Sequence, residues 1–161
     1  MTSPRQRALN VAPFWHQPLD LWDTMFDGGV RTHYVASALC ARLLRAAPGS
    51  LVVTISAHVD PEVMAGYGVV YSVAKAADDR LALATSTALA TDGVASVALH
   101  PGLVRTEGVM QFAEHLELTG SQSQASAAWS PLAADPAVMS LTGRALAVAD
   151  LAERYGVDAT T

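Results

Sequence analysis

The chain has 161 residues, 51% of them hydrophobic and 16% charged, with a formal net charge of −5 at pH 7. That length supports one buried core and excludes two ordinary domains, and the composition excludes a disordered polyelectrolyte. The negative charge, with Arg and Lys scattered, argues against a nucleic-acid surface. One cysteine, Cys40, cannot form an intrachain disulfide. No run approaches the roughly 20 apolar residues of a membrane span, and the polar start Met1–Arg7 is not followed by a signal-type core. A soluble cytoplasmic protein is expected.

In chain order, residues 1–19 read as a lead-in, with a loop at Pro13, Phe14, Trp15 and Pro18. From Leu21 to about Arg45 apolar residues recur at helical spacing: Trp22, Met25, Phe26, Val30, Tyr34, Ala38, Ala41 and Leu44. Gly28 and Gly29 inside that helix predict a bend or a close backbone approach, and Pro48-Gly49 ends it. Leu51 to Ser56 is a β-branched run that predicts a strand buried on both faces, the pattern of a parallel sheet. After a loop containing Pro61, Gly66 and Gly68, Tyr71 to about Ala90 predicts a long helix ended near Gly93. Val94 to Leu99 predicts a second strand, closed by the turn His100-Pro101-Gly102. Leu103 to Leu118 reads as broken helix, and Thr119 to Ser130 as a Ser/Gln/Ala-rich loop. Arg144 to Ala149 predicts a third strand, and Leu151 to Tyr155 a closing helix. The order is that of an α/β fold with a mostly parallel sheet.

The chemistry concentrates at Tyr71-Ser72-Val73-Ala74-Lys75. Positions i and i+4 share one helix face, one turn apart. A phenol has a pKa near ~10 in water, and a nearby ammonium favours its phenolate. A Tyr so placed can exchange a proton with a carbonyl or alcohol oxygen. Alone, the motif is weak and reads as a surface pair on a helix. Its context points elsewhere: the strand ending in Thr54-Ile55-Ser56 and the turn Pro101-Gly102 would converge with Tyr71 beyond the C-terminal ends of the strands, where ligands bind in open α/β sheets.

Several stretches, in order, resemble the short-chain dehydrogenase/reductase family. They are residues 14–18, 30–37 and 53–56, then Tyr71-Ser72-Val73-Ala74-Lys75-Ala76-Ala77, His100-Pro101-Gly102-Leu103-Val104-Arg105-Thr106, and 143–156. The resemblance implies a partial Rossmann-like three-layer fold. It implies hydride transfer between NAD(H) or NADP(H) and a small-molecule carbonyl or secondary alcohol. It also implies roles: Tyr71 as acid/base, Lys75 holding the nicotinamide ribose and tuning Tyr71, Pro101, Gly102 and Val104 shaping the nicotinamide pocket, and Thr106 binding its carboxamide. The stretch 103–130 falls where the family keeps its substrate loop. A homo-oligomer through the helices near 21–45 and 70–90 is expected.

The sequence departs from the family pattern in three places. No glycine-rich strand–turn segment precedes Leu51; the Gly66-Tyr67-Gly68 pair would need its third glycine at Tyr71, so residues 1–161 read as one domain lacking that segment. The family serine, some thirteen residues before the tyrosine, is replaced by His58; Ser56 is the candidate substitute, or it merely caps the strand. The family's mid-helix asparagine falls at Gly28-Gly29, beside Asp27. A second expectation is therefore a non-catalytic truncated chain that acts through association. Among other residues, His33, His100 and His115 lack metal-ligand spacing, so no metal is expected. His58 with Asp60 and Glu62 reads as a solvated loop, and Asp78-Asp79-Arg80 as the exposed face of the helix. Cys40 reads as a small buried hydrophobe, and Trp15, Trp22 and Trp129 as core or interface residues.

Overall fold

The computed structural model describes residues 13–47, 49–58, 68–102, 104, 107 and 129–157. A 3-10 turn at Phe14–His16 leads into α1 (Asp20–Met25), a π-turn (Phe26–Val30) and α2 (Arg31–Arg45), which follow one another without a break. Strand β1 (Leu51–Ile55), helix α3 (Val69–Leu89) and strand β2 (Ala95–His100) form a βαβ unit. A helical stretch at 129–134, a 3-10 turn (Val138–Leu141), β3 (Ala145–Ala147) and α4 (Val148–Tyr155) complete the described elements.

The three strands lie in the order β1-β2-β3 and are parallel, with Leu51 opposite Ala95 and Ala98 opposite Ala145. Helices α2 and α3 cover one face. The 129–141 segment and α4 cover the other, so the architecture is a three-layer α/β fold with a parallel sheet. β2 sits in the middle and five of its six residues are buried. β1 is only partly covered, and Ile55 is exposed; it is an outer strand among those described, not one buried on both faces. β3 is three residues long because α4 begins at Val148, earlier than the apolar pattern suggested.

Alternation along β2 sends Ala95, Val97 and Leu99 to one face, where they pack with Leu132, Val138, Leu141, Leu146, Val148 and Leu151. The residues between them face α3: the Ser96 hydroxyl donates to the Ala82 carbonyl (3.1 Å), and His100 reaches Asp79. α3 presents small residues to the sheet, with Ser72, Ala74, Ala82 and Ser86 all buried.

Several expectations are corrected on the α2 side. Tyr34 and Ala38 are exposed and His33, Val35 and Ser37 are partly covered instead, while Ala41 and Leu44 are partly covered as expected. Cys40 is exposed rather than buried. Trp15, Trp22 and Trp129 are at least half exposed or nearly so, and do not belong to the core. Among the described residues, no atom from beyond their own helical turn lies within 4 Å of where a Cβ would stand on Gly28 or Gly29, so no close backbone approach is seen there. They lie in the π-turn, which supplies the irregularity expected there.

Candidate active site

Helix α3 starts just after Gly68, whose φ of 73° and ψ of 157° suit glycine and turn the chain into the helix. Ser72 secures the first turn, its backbone N–H and its hydroxyl both donating to the Gly68 carbonyl at 3.2 and 3.0 Å. Half-buried Tyr71 stands on this first turn, and Lys75 follows one turn later. The Lys75 ammonium crosses to the sheet and donates to the Ile55 carbonyl at the end of β1 (3.0 Å). It also donates to Asp78 Oδ2 (3.1 Å). The helix thus opens beside the C-terminal end of β1, where the Lys75 side chain lands.

Asp78 was expected on an exposed face and is the reverse: its side chain is 1% exposed. Its second oxygen accepts from His33 Nδ1 of α2 at 3.0 Å. Neighbouring Asp79 accepts from His100 Nε2 at 2.8 Å, and the His100 ring centroid lies 5.9 Å from that of His58. Sequence reasoning missed Asp78 and His33. The signal was present in the spacing 71, 75, 78, 82, 86, 89, a single helical stripe on which Asp78 is the one carboxylate. Its partner on another helix carries no such signal.

Ser56 is 2% exposed and its hydroxyl donates to the Lys75 carbonyl at 2.9 Å. Its proton is committed to pinning α3 onto β1, which is the strand-end role; to polarise a substrate oxygen the hydroxyl would have to turn. His58, in the position of the family serine, is exposed at the same strand end. Pro101 is partly covered, and Gly102 has a φ of 71°, a left-handed bend that favours glycine. Val104 is half-buried. Thr106, Asp60, Glu62 and most of 103–130 lie outside the described residues.

A nicotinamide cofactor can be tested against these donors. An ammonium has three N–H groups, and among the described residues Lys75 directs two of them to Ile55 and Asp78. One directed N–H beside a tyrosine fits the ribose end of a nicotinamide nucleotide. Among the described residues no group of three His, Cys, Asp or Glu is placed to hold a metal ion, and no helix is long and apolar enough to cross a membrane. A concavity of about 280 Å³ lies elsewhere, between Leu141, Arg144, Leu146, Asp150 and Arg154, and none of the nominated residues lines it.

The resolved titration shifts are also remote from this site. The Tyr155 hydroxyl donates to Asp135 Oδ2 at 2.7 Å and, with the Ala137 N–H, holds the Asp135 carboxyl below its ordinary range. Partial burial, and then the same carboxylate, push the Tyr155 phenol above its own.

A parallel three-layer α/β fold, with Tyr71 and Lys75 on the helix after β1, points to a class, and the chain belongs to it: the short-chain dehydrogenase/reductase family of oxidoreductases. Residues 6–152 match the family model described as enoyl-(acyl carrier protein) reductase. The chain is 37% identical over 159 residues to dehydrogenase/reductase SDR family member 1 of Mus musculus, covering 89% of this chain and 50% of that protein. The chain therefore spans about half the length of the curated relatives it matches. Among solved structures, a short chain dehydrogenase of Mycobacterium thermoresistibile superposes with a TM-score of 0.76 at 25% identity, over 93% of this chain and 54% of that one. A short chain dehydrogenase from Burkholderia cenocepacia in complex with NADP superposes at 0.68 with 20% identity, over 86% and 59%.

Proposed function

We propose that this chain carries the acid/base half of an oxidoreductase site that uses NAD(H) or NADP(H) and acts on a small carbonyl compound or secondary alcohol. The observation that carries the reading is Lys75, anchored to the last carbonyl of β1 one turn after Tyr71, with two of its three N–H groups directed to Ile55 and Asp78 among the described residues. The bound nicotinamide would supply or accept the hydride. The Tyr71 hydroxyl gives its proton to the substrate oxygen in reduction and takes it back in oxidation. Lys75 has two tasks: its positive charge favours the phenolate, and its remaining N–H fixes the ribose. The bend at Pro101-Gly102, with Val104, borders the nicotinamide pocket, and Thr106 is the proposed carboxamide partner. Ser56 acts here through Lys75, whose backbone it holds.

The test is a fluorescence titration of the chain with NADH and NADPH, followed by turnover with simple ketones. Saturable binding is expected. Tyr71→Phe should keep that binding and lower turnover by about 10²–10⁴-fold. Absence of saturable binding would remove the enzyme reading for this chain. The alternative, a chain that acts through association alone, draws on exposed Tyr34, Leu39 and Leu43 along α2 and exposed Val73 and Leu83 on α3. Those faces support a homo-oligomer under either reading, and sedimentation of the chain measures it.

A further inference from the structure

Lys75, one helical turn after Tyr71, is not a lone cation: a buried carboxylate stands beside it. Asp78 Oδ2 is 3.1 Å from the ammonium, and the side chain is 1% exposed. A carboxylate so enclosed is costly unless its lone pairs are met. Lys75 meets one oxygen, and His33 Nδ1–H meets the other at 3.0 Å. The Lys75 and His33 side chains are 20% and 27% exposed. The carboxylate is thus shut between two groups that still reach water, one on α3 and one on α2.

This arrangement changes the field at Tyr71. A carboxylate at salt-bridge distance cancels part of the ammonium's effect on any third group. The more of the Asp78 charge His33 draws to itself, the more of the Lys75 charge remains for the phenol. Among the described residues, Asp79 is taken up by His100 of β2, His58 lies against the His100 ring, β1 brings no titratable side chain, and Asp27 in the π-turn is exposed.

We propose that Asp78 and His33 are positioning residues that set the charge Lys75 presents to Tyr71. The carboxylate fixes and partly neutralises the ammonium, and the imidazole withdraws charge from the carboxylate. This inference rests on the acid/base reading of Tyr71 and extends the site to α2, where the family-like asparagine is missing. It uses no cofactor, so it can be tested on the chain itself.

The readout is ionisation of Tyr71, followed by phenolate ultraviolet absorbance as the difference between each protein and its Tyr71→Phe counterpart. Asp78→Asn should lower the Tyr71 midpoint by about one pH unit, a tenfold change in its ionisation constant. His33→Ala should raise it by a few tenths of a unit, and His33→Gln, which keeps an N–H for the carboxylate, should return it toward the wild-type value. Circular dichroism checks the fold of each variant. If Asp78→Asn does not fold, the two variants at the partly exposed His33 decide the matter. An unchanged or raised midpoint in folded Asp78→Asn overturns the proposal, as does, where Asp78→Asn fails to fold, an unchanged midpoint in His33→Ala. Lys75→Met separates the two levels. A Tyr71 midpoint indifferent to Lys75→Met sinks the acid/base reading itself. A midpoint that rises with Lys75→Met but ignores Asp78→Asn sinks the Asp78–His33 inference alone.

Discussion

The two faces of the sheet are built from different materials. Toward α4 and the 129–141 segment, the strands bury Val97, Leu99 and Leu146 against Leu132, Leu141 and Leu151. Toward α3 they bury Thr54, Ser56 and Ser96 against Ser72, Ala74, Asp78, Ala82 and Ser86. The first face gains stability by removing apolar area from water, on the order of 1.5–3 kcal/mol for each large side chain fully buried. The second gains little that way. Its small residues let the helix sit close to the strands, and its hydroxyls find helix carbonyls, as Ser56 does with Lys75 and Ser96 with Ala82. A face rich in satisfied polar groups can accommodate an ammonium and a carboxylate that an aliphatic face would reject. The apolar face therefore holds the fold, and the polar face carries the proposed site.

Substitutions on the two faces should differ accordingly. Leu151→Ala, in the aliphatic cluster, is expected to cost about 2–5 kcal/mol in urea unfolding, the largest effect of the set. A cost below about 1 kcal/mol would mean that this face is not the main source of stability. Gly143→Ala comes next. Gly143 has a φ of 78°, and an added Cβ would stand 3.0 Å from Ser86 Oγ and 3.3 Å from Leu83 Cδ1, so the turn before β3 would be strained and α3 displaced. About 1–3 kcal/mol should be lost, read from the same unfolding curves.

Ser56→Ala probes the polar face and sharpens the division of labour. Loss of the bond to the Lys75 carbonyl should cost about 1 kcal/mol, while turnover, where measured, stays within a few fold of wild type. A fall of about a hundredfold in turnover at unchanged stability would return Ser56 to the reacting oxygen.

The smallest effect concerns pH. The folded Asp135 carboxyl lies below its unfolded value, chiefly through the Tyr155 hydrogen bond, so its contribution is present above that value and is lost as pH falls through the folded one. Tyr155 lies above its unfolded value, chiefly through burial, so its contribution is complete below about pH 10 and is lost as pH rises through the folded value. Tyr155→Phe should flatten both limbs of a stability–pH profile, slightly, because both groups are near water.

Local pattern carried much of this fold. The β-branched run from Leu51 and the apolar run before His100-Pro101 marked two parallel strands, and Tyr71 and Lys75 were legible on one face of the helix between them. The long first helix was legible too, but not its π-turn, since two glycines signal weakness without stating the form it takes. Burial was read less well. Asp78-Asp79-Arg80 has the composition of a solvated face, yet the helix turns Asp78 inward. Tyr34, Cys40 and Trp22 have the composition of a core and face outward.

The sequence by itself determined the parallel α/β plan and the Tyr71–Lys75 pair, because strand runs and helical spacing are properties of neighbours along the chain. Only the tertiary structure decided that Ser56 spends its proton on Lys75 and that Asp78 joins Lys75 to His33. The Ser56–Lys75 and His33–Asp78 contacts join residues 19 and 45 positions apart. The balance of desolvation and charge that makes them worthwhile exists only once two helices and a strand have closed around a carboxylate.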